Sequence, residues 1–242
     1  MKYSIIIPYR NREEHLGILL PRLQEKFADK DYEIIVSEQG NEDNFQIATV
    51  NNIGFREATG DVIVLHQVDY YPADDVDYTF TGTVTLMGAR ALFLGKDNAS
   101  FRPEHDIPGG YRNFSEAIDP NFYGGVVMMS RDQFETINGL NPLYKGWGNE
   151  DEDLRERLKW ANIPVTRQSI GTYFCLYHED NGVITQKTLP DQRDFYEGRQ
   201  LLQEAYKHRL VGFANLEYTL QELSVEIENT RWIVSDNYKV NV

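Results

Sequence analysis

The first seventy or so residues alternate short apolar β runs with amphipathic helical stretches, and no other feature constrains the fold as much. Tyr3 to Pro8 is a β-rich run closed by proline, and from Glu13 to Phe27 the residues Leu16, Leu19, Leu20 and Leu23 recur at helical spacing. Tyr32 to Gln39 repeats the strand pattern, Phe45 to Ala58 reads as a second helix, and Asp61 to Asp69 as a third buried strand. Strands alternating with helices imply an α/β fold, with a mostly parallel central sheet, right-handed crossovers and flanking helices. Open sheets of this kind bind ligands beyond the carboxyl ends of their strands. That directs attention to Pro8-Tyr9-Arg10-Asn11-Arg12, to Ser37-Glu38-Gln39 and to His66-Gln67-Val68-Asp69.

The rest of the chain is less regular. Asp97 to Pro120 carries Pro103, Pro108, Gly109 and Gly110 and reads as a long lid-like excursion. Gly124 to Ser130 looks like a buried strand and Arg131 to Ile137 a short helix. The run from Asn149 to Ala161 reads as a helix with Asn149 as N-cap and Leu154, Leu158 and Ala161 facing inward. Short β signals follow at Val165–Arg167 and Tyr173–Tyr177, then a helix from Arg193 to about His208, then β segments at Leu216–Val225 and Arg231–Val234.

Charge narrows the function classes. With 24 Lys+Arg against 38 Asp+Glu the formal charge is −14. A sequence-blind nucleic-acid binder needs basic surface for counterion release, so nucleic acid is excluded as a partner, and an acidic lipid surface with it. An anionic ligand would need local arginines or a bound cation against that field. The one cysteine, Cys175, rules out an intrachain disulfide and a Cys-rich zinc site. No run approaches the roughly 20 apolar residues of a membrane span, and the first residues lack a signal-type apolar core. We therefore expect a soluble, cytoplasmic protein with no integral membrane segment.

Two constellations carry chemistry. Asp69 closes a buried apolar strand, where a hard divalent cation could be presented to a diphosphate; the plainer alternative is a turn aspartate accepting backbone N–H groups. In Gly146-Trp147-Gly148-Asn149-Glu150-Asp151-Glu152-Asp153 two glycines bracket a tryptophan ahead of four acids that open a helix. Acids in a first turn complement the helix dipole, which explains the acids but not Trp147. A flat apolar face suits a sugar ring, and an adjacent carboxylate, kept ionised by the helix N-terminus, can deprotonate a hydroxyl. His178, past a short β run, and Arg10 and Arg12, past the first strand, are further candidates as metal ligand and anion holders.

Read in order, IPYRNREEHL, NNIGFREA, VLHQVDYYP, FYGGVVMMSRDQFETINGLN, YKGWGNEDEDLRERL and LYHEDN resemble the β-1,4-galactosyltransferase family, metal-dependent inverting enzymes of the GT-A fold that use UDP-sugars. The resemblance covers nearly the whole chain. It implies one GT-A domain over 1–242, with a nucleotide-binding half at 1–72, a sugar and acceptor half at 73–189 and a small carboxy-terminal extension at 190–242. It implies Mn²⁺ on Asp69 and His178, with Cys175 where some members place a methionine ligand. It places Pro8, Tyr9, Arg10, Arg12 and Phe45 against uridine and diphosphate. Gln67, Val68, Phe122, Tyr123 and Trp147 then face the donor, Gly125, Trp147 and Glu150 the glycan acceptor, and Asp151 is the catalytic base. Gln67 stands where the family has the first acid of its DxD element, Gln46-Ile47 replace an Asn-Arg pair, and Lys145 replaces a tryptophan. These departures leave the donor sugar open and give a competing expectation, a nucleotide-sugar or glycan binding module without turnover.

Overall fold

The computed structural model describes residues 1–98, 100, 118–146, 148–178, 197–223 and 227–241. Most of the expected lid, Trp147 and the segment 179–196 lie outside these.

Eight strands form the central sheet, in the order β10-β11-β2-β1-β3-β7-β5-β8. The strands are β1 Lys2–Tyr9, β2 Asp31–Gln39, β3 Val62–His66, β5 Val84–Leu86, β7 Val126–Ser130, β8 Val165–Arg167, β10 Leu216–Leu223 and β11 Thr230–Val240. A second sheet of three short strands runs β4 (Tyr70–Pro72), β9 (Thr172–Cys175), β6 (Arg90–Phe93). Among the described residues the helices α1 Glu13–Lys26, α2 Ile47–Glu57, α3 Arg131–Thr136 and α4 Glu150–Trp160 flank them, and residues 197–203, in the expected carboxy-terminal helix, are helical as well.

The centre of the sheet is buried on both faces, which is why β1 reads as a nearly unbroken apolar run. Alternate residues divide it. Ile5 and Ile7 pack with Leu16, Leu19 and Leu23 of α1, whereas Ile6 packs on the other face with Ile53 and Phe55 of α2 and Leu154 of α4. From β1 the chain crosses to β2 on one side, then back to β3 on the other, both parallel to β1. That reversal opens a crevice at the carboxyl ends of β1 and β3.

The expected parallel character holds for β1, β2, β3 and β11, but the whole sheet is mixed. β7 runs antiparallel to β3 and to β5, and β10 antiparallel to β11. The apolar run of β7 would look the same in either direction, since both of its faces are covered. The last strand is longer than its sequence signal and inserts beside β2, so the carboxy-terminal segment completes the central sheet. The strands β4, β5 and β6 fall where no regular structure was expected; at three or four residues they are too short to show a period.

Asn149 does stand at the N-cap of α4, but in the left-handed region (φ 75°) and with no side-chain capping bond. Its Oδ1 instead accepts from Arg199 at 3.3 Å. Among the described residues no helix is long and apolar enough to cross a membrane.

Candidate functional site

The crevice is a small, open cleft lined by residues from several elements. Pro8 from β1, Leu65, His66 and Gln67 from the end of β3, and Ile47 and Asn51 from the first turns of α2 form one wall. Tyr123, Gly124, Gly125 and Val127 lead into β7, and Glu150, Asp151 and Leu154 come from the start of α4. Five segments distant in sequence therefore converge there.

Beside it, β4 and β9 pair antiparallel with Tyr70 opposite Cys175, and Leu176 N–H donates to the Asp69 carbonyl at 2.8 Å. This pairing draws the residues just beyond β9 alongside the residue just before β4. His178 Nε2 consequently lies 3.3 Å from Asp69 Oδ2. Arg12, whose guanidinium can only donate, is 3.1 Å from His178 Nδ1, which must then accept. Burial alone would raise the Asp69 carboxyl, but the hydrogen bond from His178 outweighs it and holds the group below the ordinary aspartate range.

An ionised carboxylate and an imidazole nitrogen converging on one point fit a hard or borderline divalent cation that completes its shell with substrate oxygens and water. Cys175 is not part of that meeting point. It is 1% exposed within the core, and among the described residues no His, Cys, Asp or Glu groups gather in a metal-holding set of three.

The remaining donor-side candidates divide between cleft and scaffold. The Arg10 guanidinium stacks over Phe45, 5.3 Å from the ring centre, and donates to the Asp43 carbonyl. Gln39 organises that loop: its Nε2 donates to Asn41 Oδ1 (2.8 Å) and its Oε1 accepts from Gln46 N–H (2.8 Å). Tyr9 is 1% exposed, edge-on to Trp232, and Val68 is buried, so both side chains belong to the core. His66 is held between the Gln67 carbonyl and Tyr78 Oη, each 2.9 Å away, and burial lowers it to about 4, keeping it neutral.

On the far wall, Gly124 is where it is because of what surrounds it: a Cβ there would lie 2.6 Å from the Phe122 ring and 3.3 Å from Asp151 Oδ2. Gly125 has φ +79°, and a Cβ would strike the Tyr70 ring. Arg167, which the sequence did not single out, fixes this segment by donating to the carbonyls of Gly88 and Phe122.

Glu150 and Asp151 keep some accessible surface toward the cleft but are crowded elsewhere by protein. Burial first, then the charge of Asp151, pushes Glu150 well above the glutamate range. Asp151 is raised too, by burial against the N–H of Glu152, which donates to Asp151 Oδ1 at 2.9 Å. The sequence led us to expect the helix N-terminus to keep these acids ionised. Desolvation outweighs it, because the dipole contributes only about 0.3–1 kcal/mol at an exposed end. Trp147 itself lies outside the described residues, but Gly146 (φ 68°) and Gly148 (φ 91°) on either side both take the backbone region that glycine favours.

Residues 1–81 match the family described as the N-terminal region of glycosyl transferase group 7, and residues 116–179 match the N-terminal domain of galactosyltransferase. A β-N-acetyl-D-glucosaminide β-1,4-N-acetylglucosaminyl-transferase of Lymnaea stagnalis is 35% identical over 189 residues, 75% of this chain and 35% of that protein. β-1,4-Galactosyltransferase 6 of Mus musculus is 30% identical over 238 residues, 90% of this chain and 52% of that protein. The chain thus spans about half, or less, of the length of these curated relatives.

Among solved structures, a mutant of Drosophila β1,4-galactosyltransferase 7 in complex with manganese, UDP-Gal and xylobiose superposes with a TM-score of 0.69, covering 100% of this chain and 94% of that one at 21% identity. Staphylococcus aureus TarS in complex with UDP-GlcNAc gives 0.56, covering 88% of this chain and 69% of that one at 14% identity. These likenesses show the GT-A fold. The family matches take in both the strands that end at the cleft and the helix that carries Glu150 and Asp151, and the chain belongs to the β-1,4-galactosyltransferase family.

Proposed function

We propose that the chain is an inverting glycosyltransferase that moves a hexose, galactose favoured, from a UDP-sugar to a sugar hydroxyl of a glycan acceptor. One observation carries the reading. A single cleft at the carboxyl ends of β1 and β3 has the Asp151 carboxylate in its wall, and two residues beyond its lining Gln67 stands the Asp69–His178 pair. Family membership makes a glycosyl donor the natural occupant.

In the proposed reaction the acceptor oxygen attacks the anomeric carbon as Asp151 takes its proton. The bond from that carbon to the diphosphate breaks, and its electron pair leaves with UDP. Mn²⁺ held by Asp69 and His178 would offset the charge growing on the departing diphosphate. Arg10 and Arg12, at the end of β1, face the same anion, and the Phe45 ring offers a surface for the base. Glu150, raised so far that it is largely protonated near neutrality, can donate a hydrogen bond to the acceptor sugar. Relatives are named for galactose and for N-acetylglucosamine; the bulk of Phe122, whose ring packs against Gly124 beside Asp151, supports the plain hexose over the acetamido sugar.

The test is UDP release from UDP-Gal, UDP-Glc, UDP-GalNAc, UDP-GlcNAc and UDP-GlcA, with Mn²⁺ or EDTA, with and without simple sugar acceptors. Release from one donor that needs Mn²⁺ and rises with an acceptor is the expected result. Release indifferent to acceptor would make the protein a nucleotide-sugar hydrolase. Mn²⁺-dependent UDP binding with no release from any donor would make it a binding module.

A further inference from the structure

Two asparagines stand side by side on α2, and only one of them has its amide oxygen paired among the described residues. Asn52 is completely satisfied: its Nδ2 donates to the Leu140 carbonyl at 2.7 Å and its Oδ1 accepts from the Leu140 N–H at 2.9 Å, pinning the helix to the loop before α4. Asn51 is 4% exposed, and its Oδ1 is buried without a hydrogen-bond partner among the described residues. A buried amide left in this state lowers stability, so its presence calls for a reason.

Its position supplies one. Asn51 lies four residues from Ile47, on the same face of α2, and both line the cleft opposite Gly124, Glu150 and Asp151. Around it the lining is largely apolar, with Leu65, Val127, Leu140 and Leu154. Ile47 and Gln67 place no charge on this wall, and the arginines lie at the other end, by Phe45 and His178. Asn51 Oδ1 is therefore a neutral, unpartnered acceptor in the cleft that the proposed base also lines. A hexose hydroxyl can donate to such an oxygen and asks for no charge.

We infer that Asn51 hydrogen-bonds a hydroxyl of the transferred hexose and so sets which donor sugar the cleft accepts. The inference rests on the transferase reading for its ligand and assigns a specificity-determining residue within it. A site built to pair with a hydroxyl discriminates against a sugar that lacks it or points it elsewhere, because the amide is then buried with nothing to bond. Asn51 should act on the sugar and not on the nucleotide.

The experiment compares the wild-type chain with Asn51→Leu, similar in size and without the amide. Mn²⁺-dependent binding of UDP and of each UDP-hexose is titrated, kcat/KM is measured across the donor panel, and the melting midpoint is recorded. The expected variant binds UDP as the wild type does and melts no lower. It loses at least about tenfold in kcat/KM for the preferred donor, with its preference among epimeric hexoses flattened. An unchanged donor ranking, or a loss of UDP affinity and melting midpoint together with activity, would overturn the assignment. The binding arm stands without turnover. If the wild type binds a UDP-hexose more tightly than UDP but never transfers it, the transferase reading fails, while Asn51 is still judged by whether the leucine variant abolishes that difference.

Discussion

Asp69 and Glu150 are both carboxylates pressed into protein beside one cleft, yet one is held ionised and the other driven toward its neutral form. Burial penalises charge at both ends. At Asp69 a histidine stands 3.3 Å away and arginine follows it in a chain, so the charged form has a partner. At Glu150 the nearest charges are further acids, and Glu150 Oε2 has no hydrogen-bond partner among the described residues. The neighbour, not the depth, sets the sign. The two ends are thereby suited to opposite tasks: a fixed negative site for a cation, and a pair of acids both raised above the ordinary carboxylate range, as acid–base chemistry requires.

The largest test of that division is Asp151→Asn. It should lower kcat by roughly 10²–10⁴-fold, the usual worth of a positioned base, while leaving Mn²⁺-dependent UDP binding intact. Asp69→Ala should do the reverse in binding, weakening Mn²⁺-dependent UDP affinity by more than about tenfold with the acid pair untouched. Calorimetry of both variants checks it; loss of UDP binding in Asp151→Asn would show that the two ends are not separable.

A smaller effect follows from the raised acids themselves. A carboxyl whose folded pKa exceeds its unfolded value binds its proton more tightly in the folded state. Its contribution to stability is full below the unfolded pKa and lost as pH rises through the folded one. The metal-free wild type should therefore lose stability between about pH 4.5 and the raised value of the pair, by more than about 1.4 kcal/mol, the worth of one unit of displacement. Glu150→Gln should flatten that decline. Asp69 runs the other way: its lowered pKa adds stability above the unfolded value, lost as pH falls through the folded one, so Asp69→Asn should soften the acid limb. Urea midpoints across pH 3–9 read both. In turnover, the pair titrates together, and the rate should rise with pH to an apparent pKa above that of an ordinary aspartate.

Much of this division was legible in the residues. Six ordered motifs singled out Asp69, His178, Glu150 and Asp151; the fold sets the first two 3.3 Å apart and the other two in the cleft wall, and the helices α1, α2 and α4 agree with their apolar spacing to within a residue or two at most ends. What the sequence could not carry was anything decided by packing from elsewhere. The fate of the α4 acids depends on how closely β7 and the Gly124 segment press on them, which the helix alone does not disclose. Asn51 escaped notice because a polar residue in an amphipathic helix reads as its wet face, whereas α2 is buried continuously from Ala48 to Phe55. The direction of β7 was hidden for the same reason, since an apolar run buried on both faces has no polarity to read.

The smallest expected effect is also the most local. Gly124 separates the Phe122 ring from Asp151, and a methyl there would overlap the ring at 2.6 Å while coming only into a tight contact with Asp151 Oδ2 at 3.3 Å. Phe122 is tied at its carbonyl by Arg167 and at its N–H by the Asp119 carbonyl (2.9 Å), so the ring must rotate about its own bonds, away from Asp151 or toward the sugar pocket. Either movement changes the wall beside the base without touching the Asp69–His178 pair, which sits across β4 and β9. Gly124→Ala should therefore lower kcat severalfold, by roughly 1 kcal/mol in barrier, with UDP affinity and its Mn²⁺ dependence unchanged. A donor panel run on the same variant separates the two movements. A ring turned into the pocket shifts the preference toward smaller sugars, whereas a displaced Asp151 slows every donor alike. A change in Mn²⁺ affinity instead would mean that the two ends of the cleft are mechanically joined through Tyr70, whose ring already packs under Gly125.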